Sequence, residues 1–485
     1  MRLIFDPRPI LMNLGSLLLV MACFMTAPLI ADIAANDGNW RSFMLAAAAA
    51  AFVGVALILS SRGHSNRLTI RESILLTVTS WIVAPAIGAV PLLFSIPDLT
   101  VSDAFFEATS AMTTTGSTVL TGLDRLPAGI LLWRAILQWI GGIGIIVMGI
   151  ALMPLMRTGG IRLFRLESSE RGERVMPRVQ NFILMMVGVY LALTVACALG
   201  YWIAGMGAFD AVCHAMTTLS TGGFANYDNS FGAFENAAAE WVAVVFMTSG
   251  AIPFFLYIGA MRTGPATMFA NRQVRGLLIL LVLSILAIAL WLWVKDGVPP
   301  LLALRLSAFN VTSIVTTTGY ASTDYTTWGS LPVGLFFFLT FVGGCTGSTS
   351  GGIKIQRFQI VFFELRNTLQ LLLSPHSVRP AGHPGQPSDP ETTIGAMVFV
   401  LIFLLTIAGV SVLLELLGYD IVTAVTGAAT AVANVGPGLG TIIGPAGNFA
   451  PLPDAAMWIL AAAMLLGRLE LFAIFVLFTR QFWRF

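Results

Sequence analysis

The sequence predicts an all-α polytopic membrane protein, with two N-terminal helices plus four helix–re-entrant loop–helix repeats in pseudo-fourfold arrangement around one axis. Three observations predict it. The chain of 485 residues is 57% hydrophobic and only 10% charged, with mean hydropathy +0.85, whereas soluble domains carry about 25% charged residues. Apolar runs near 10–31, 43–60, 73–96, 128–155, 179–203, 239–261, 276–294, 333–356, 393–417 and 455–479 are each close to the length of a bilayer span, which makes about ten. Between alternate spans recur four segments too short to cross and too apolar for surface loops.

The first run, 10–31, approaches the ~20 residues of a span rather than the 7–15 of a signal segment, so it reads as a retained helix. Arginines concentrate in 61–72, 156–178, 261–275 and 366–380, whereas "ADIAANDGNW" and "LGYD" are acidic. By the positive-inside rule the basic loops and both termini are cytoplasmic. The Pro/Gly-rich stretch 374–392 reads as a cytoplasmic linker. The expected partition is a two-helix extension over 1–70 and repeats over 71–156, 157–262, 263–373 and 393–485, the second including a cytoplasmic loop and the third a broken second helix. Cys23, Cys197, Cys213 and Cys345 lack C-x-x-C spacing and the four histidines are scattered, which predicts buried free thiols, no disulfide and no histidine–cysteine metal site.

The four short segments are "DAFFEATSAMTTTGSTVLTG" (103–122), "FDAVCHAMTTLSTGGFANYD" (209–228), "LRLSAFNVTSIVTTTGYAST" (304–323) and "DIVTAVTGAATAVANVGPGLG" (420–440). Each is about three turns of helix followed by a polar element ending in glycine. Gly116, Gly222, Gly319 and Gly436 recur 106, 97 and 117 residues apart, an internal repeat. Asp103, Asp210 and Asp420, with Ser307 in the third segment, stand as expected N-caps.

Non-helical backbone at membrane depth survives only where protein buries it or it lines a wet cavity. Four equivalent loops meeting on one axis would present rings of carbonyl oxygens that replace the hydration shell of a monovalent cation. Thr114, Thr115 and Gly116, then Thr221, Gly222 and Gly223, then Thr317, Thr318 and Gly319, and finally Asn434, Val435 and Gly436 are the candidate ion ligands. They supply hydroxyls and flexible backbone without a carboxylate, and short-helix C-termini aimed at the axis favour a cation.

"GGCTGSTSGGIK" (343–354) interrupts the run from Val333 to Leu373, whose roughly 41 residues would make about 60 Å of helix. Gly343, Gly344, Gly347, Ser348, Gly351 and Gly352 suit a non-helical gate below the third segment, with Lys354 tethering it or meeting an acidic neighbour. The phosphate-loop pattern fails, because Ser348 and Ile353 occupy its glycine positions. Plain small-residue helix packing explains "GGIGIIVMG" (141–149) better than a twelve-residue break. Arg468 falls near the middle of the last run, where a charge must face a cavity or partner. Glu470, two residues on, points elsewhere. Arg468 is therefore expected in the permeation path, holding the loop's carbonyls.

"TTTGST", "STGGF", "TTTGY" and "ANVGPG", together with "LQWIGGIGIIVMG", "GGCTGSTSGGIK" and "GRLE", resemble the Trk/Ktr/HKT superfamily of potassium transporters over nearly the whole chain. The two extra N-terminal spans are most similar to bacterial TrkH-type subunits. The resemblance implies potassium uptake across the bacterial inner membrane through one pore per subunit, with potassium as the transported ion and no nucleotide on this chain. It implies a homodimer in lipid, a cytosolic nucleotide-binding partner of the TrkA type, no nucleic-acid partner and no enzymatic activity. In that superfamily serine for the first segment's glycine accompanies sodium permeation, so the four glycines favour potassium. The alternative is a sodium-permeable or cation-coupled secondary transporter of the same fold. A secondary transporter built from two inverted halves is disfavoured by four same-direction repeats. An intramembrane protease would need a dyad at depth, whereas the aspartates lie at the outer edge and His214 reads as a packing residue.

Overall fold

The structure, a computed structural model, describes residues 6–61, 68–152, 175–374 and 390–483. Most of the loop expected at 157–178 and of the linker at 374–392 lies outside these. Among the described residues seven helices are long and apolar enough to span: Arg8–Ala34, Trp40–Ser60, Ile70–Ser95, Ala128–Met148, Asn181–Ile203, Arg272–Lys295 and Thr392–Leu416. Their outward faces are apolar, with Phe52 and Ile203 at 77% and 81% exposure, as a lipid-facing surface requires. Gly15 and Gly54 bring the first two spans backbone to backbone, the close approach that small residues permit.

The remaining three expected spans are broken. Ala237–Gly250 and Phe254–Thr263 meet at 93°, and Asp454–Arg468 and Phe472–Phe478 at 103°. Only the third interruption, after Ser330–Thr340 and before Ile355–Leu373, was legible in composition. Its ends are joined by a two-residue parallel pairing, Val342–Gly343 with Ile353–Lys354, a small departure from an all-helical chain. Pro253 starts the helix after the first break. At the second, Glu470 and Leu471 turn left-handed at φ +53° and +58°.

Four short helices, Val101–Met112, Ala208–Leu219, Pro300–Val315 and Ile421–Ala433, each pack between the two spanning elements of their own repeat. The second element of each repeat also packs on the short helix of the next: Ala128–Leu152 on the second, Ala237–Gly250 on the third, Ser330–Thr340 on the fourth and Asp454–Arg468 on the first. The order closes on itself, which is a pseudo-fourfold ring.

Capping differs from expectation in three of the four. Asp420 is the N-cap of its helix, accepting from Val422 and Thr423 amides at 3.1 Å, and hydrogen bonds from the Thr423 side chain and backbone hold its carboxyl below the ordinary range. Thr100, not Asp103, caps the first helix, with Asp103 as the reciprocal member of a capping box. Gly207 precedes the second, and Asp210 instead accepts from Asn226 and Tyr227 at 2.7 and 3.0 Å. Ser307 lies mid-helix in the third. Cys23 is exposed rather than buried, and all four thiols are free.

Glycines seat the ends of three short helices. Gly141, Gly250 and Gly467 face the carbonyls of Met112, Leu219 and Val432, and a Cβ at Gly141 or Gly467 would overlap the facing oxygen. Gly467→Val is therefore expected to abolish accumulation of monodisperse protein in detergent, read by size-exclusion chromatography, while Gly259→Val, which has open space around it, leaves the elution profile unchanged.

Candidate functional site

Each short helix ends the same way. Thr114, Thr221, Thr317 and Asn434 turn left-handed at φ +51°, +52°, +57° and +55°. The next amide, of Thr115, Gly222, Thr318 and Val435, donates to the carbonyl five residues back at 2.9, 2.9, 2.8 and 3.0 Å. This is the Schellman ending, which usually places glycine at the left-handed position. Threonine there is an outlier and costs about 1–2 kcal/mol, the kind of strain that collects at functional sites.

The shared geometry corrects the register of the second segment. The positive-φ glycine two residues beyond the left-handed position is Gly116, Gly223, Gly319 and Gly436. Gly223 is thus the equivalent residue, and Gly222 takes the place of Thr115, Thr318 and Val435. Sequence spacing could not separate two adjacent glycines, whereas the sign of φ does.

These glycines interlock the segments. The volume a Cβ would occupy on Gly116 is filled by Gly222 O, on Gly223 by Thr318 O, on Gly319 by Val435 O and on Gly436 by Thr115 O. Each contact runs from one repeat to the next and the fourth returns to the first, so all twelve candidate residues converge. Ten are buried; Gly116 and Gly319 are half-exposed. Outer contacts reinforce the ring: Ser117 Oγ donates to Gly436 O at 2.8 Å, the Gly122 and Leu123 amides to Asp228 at 2.8 and 3.0 Å, and Phe231 N to Ala321 O at 3.0 Å.

The glycine-rich loop lies against the inner ends of three of the short helices. The Thr349 hydroxyl is 3.1 Å from Leu219 O and 3.2 Å from the Thr221 hydroxyl. Gly351 N donates to Thr317 Oγ1 at 2.7 Å and Gly352 N to Ala433 O at 2.8 Å. The loop's other side answers the break at 251–253: Cys345 N donates to Ala251 O at 2.9 Å, Thr349 N to Gly250 O at 3.2 Å, and Gly347 O accepts from Phe254 N at 3.0 Å. Ser348 Oγ closes on Cys345 O at 2.6 Å, Gly344 O accepts from Ile355 N at 3.2 Å, and Gly343 pairs with Lys354.

Two buried cations hold the loop. Lys354 donates through its ammonium to Ser350 O. Arg468 is the last residue of its helix, at the bend near the middle of the broken span 454–478, and its Nη1 donates to Thr349 O at 2.9 Å. Its Nε and Nη2 find no acceptor among the described residues. Glu470 pairs instead with Arg357 at 2.6 Å, and Arg357 also lies 3.6 Å over the Phe399 ring. His214 packs edge-on to Phe231 and Phe234, with Nδ1 2.8 Å from Asp210 O. Sequence reasoning missed Glu107, Arg134, Gln138 and Arg357. The rule that singles out Arg468, a charge inside an apolar run, applies equally to Arg134.

These features define a multi-pass membrane protein in which four re-entrant segments close a ring of backbone oxygens over an intramembrane loop. The sequence model of the TrkH family, described as cation transport protein, matches residues 40–484, and the chain belongs to that family. The Trk system potassium uptake protein TrkI of Halomonas elongata is 46% identical over 98% of this chain and 97% of its own. The TrkH protein of Vibrio parahaemolyticus is 34% identical over 98% of this chain and 99% of its own. The crystal structure of the potassium transporter TrkH from Vibrio parahaemolyticus superposes with TM-score 0.91 at 32% identity, covering 99% of this chain and 100% of that one.

The Thr114 hydroxyl has no partner among the described residues, whereas that of Thr317 receives the loop amide. Glycine relieves the left-handed strain at both positions, but only Thr317→Gly also orphans Gly351 N, a loss of about 1–3 kcal/mol. The thermal midpoint of Thr114→Gly in detergent is expected to exceed that of Thr317→Gly by several degrees.

Proposed function

We propose that the protein mediates potassium uptake across the bacterial inner membrane through one pore per chain. The cyclic interlock of the four triplets carries this reading. It concentrates uncharged backbone and hydroxyl oxygens, with no carboxylate among the twelve residues, as a site for a dehydrated monovalent cation requires. The glycines Gly116, Gly223, Gly319 and Gly436 supply the pattern that the superfamily resemblance associates with potassium. The names of the relatives, potassium uptake proteins of a Trk system, point the same way.

In this reading residues 343–354 are the gate. Their contacts with three of the four short helices, and with Arg468, support a closed arrangement in which loop and guanidinium obstruct the path. Withdrawal of the loop opens it, a two-state change suited to a glycine-rich segment. Both termini are cytoplasmic by the arginine distribution. A homodimer working with a cytosolic, nucleotide-binding TrkA-type subunit completes the proposed assembly, in keeping with the word "system" in the relatives' names.

Growth of a potassium-uptake-deficient bacterium at low external potassium tests the activity: expression of the chain restores growth, and failure to carry potassium into liposomes overturns the reading. Arg468→Ala removes both the charge and the tether at Thr349 O, so potassium flux per folded protein is expected to rise severalfold. Unchanged flux would remove Arg468 from the gate.

A further inference from the structure

One cluster lies behind the ring, outside the twelve candidate residues and the loop. Glu107 on the first short helix and Arg134 on the span that follows are 0% and 1% exposed, and Arg134 Nε lies 2.8 Å from Glu107 Oε1. Glu107 Oε2 accepts from Val119 N at 3.0 Å, so it pins the irregular stretch by which the first segment returns. Arg134 crosses to the second segment, where Nη1 donates to Ala225 O at 2.9 Å and the guanidinium lies 4.1 Å over the Phe224 ring. One turn along the same face, Gln138 donates to Gly222 O at 2.7 Å and accepts from Phe224 N at 3.1 Å. It therefore straddles Gly223.

The other repeats show what this cluster adds. Seven residues before the left-handed position stand Glu107, His214, Asn310 and Gly427. In the third repeat neutral Asn310 Oδ1 accepts from Ser322 N at 3.2 Å, the counterpart of Val119 N. In the fourth, Thr426 Oγ1 accepts from Leu439 N at 3.0 Å. A neutral side chain thus suffices to pin the returning stretch. A buried carboxylate carries a desolvation cost and requires a cation, and here that cation reaches into the neighbouring repeat.

We propose that Glu107, Arg134 and Gln138 are positioning residues that fix the first segment against the second and thereby set discrimination between potassium and sodium. The carbonyl that Gln138 holds, Gly222 O, is the one that fills the Cβ volume of Gly116. It is therefore the first-to-second contact of the ring. Oxygens held apart replace the hydration of potassium but cannot close on the smaller sodium ion. Loosening this contact lets them close. The inference rests on the potassium reading above.

The test uses the full-length protein in liposomes, with potassium and sodium flux measured separately. Gln138→Leu keeps the volume and removes both hydrogen bonds. Glu107→Gln keeps an acceptor for Val119 N and removes the charge that holds Arg134. Each is expected to raise the sodium-to-potassium flux ratio about tenfold, the effect of a buried hydrogen bond expressed as a rate ratio. Trp291→Phe, which loses the bond from Nε1 to Trp328 O at 2.9 Å and removes no hydrogen bond of the cluster, controls for general loosening and keeps the wild-type ratio. The inference is overturned if the folded variants stay within about twofold of wild type, if Trp291→Phe shifts the ratio equally, or if neither cluster variant yields folded protein, which would make the cluster a folding element alone. A wild-type chain that carries no potassium in the same vesicles overturns the underlying reading instead, and the inference with it.

Discussion

Inside a bilayer a backbone amide or carbonyl has no water to turn to, so every departure from helix must be answered by another piece of protein. Among the described residues the membrane-level chain departs from helix at four segment tips, at one long loop and at two sharp bends, and the departures answer one another. The amides of Gly351 and Gly352 go to Thr317 and Ala433 at the inner ends of two short helices. The break at 251–253 gives its carbonyls to the loop and takes one back through Phe254. None of these elements is stable alone at that depth. Their mutual satisfaction is why the irregular parts gather at the centre while the outer helices stay regular.

The same constraint yields a ring. Successive repeats place a glycine against the next segment's carbonyl, and the fourth contact returns to the first. A Cβ at any of these positions would push two segments apart. The threonines held at positive φ carry strain that the Schellman hydrogen bonds and complete burial overcome. The symmetry is of backbone rather than of side chains. Behind identical helix endings stand a carboxylate, an imidazole, an amide and a bare glycine. The first repeat alone among these four uses a charge, and that charge ties it to its neighbour.

Beneath the ring, cations are placed where they meet carbonyls rather than carboxylates. Lys354 and Arg468 donate to Ser350 and Thr349 of the loop, whereas Glu470 is taken up by Arg357. In the proposed gate that positive charge would act twice: it would repel the ion while the loop is in place, and it would give the loop a partner to lose on withdrawal. Arg468 ends one broken helix against the loop, and Glu470 just beyond it is tied to Arg357 in the first turn of the helix that follows the loop.

The sequence by itself determined much of this protein. Hydropathy located the spans, the recurrence of Thr/Asn-Gly elements counted the repeats, and the glycine run exposed the loop, because each is a local pattern read against the same solvent constraint. The breaks at 251–253 and 469–471 were not read from the sequence, although Pro253 and Glu470 stand in them, because each run as a whole stays apolar enough for an unbroken span. Nor was the choice of Gly223 over Gly222, which depends on the sign of one dihedral. The Glu107–Arg134–Gln138 cluster joins residues distant in the chain to a neighbouring repeat. Only tertiary packing decides such pairings, because a buried charge is matched by whichever group the fold brings within hydrogen-bond reach.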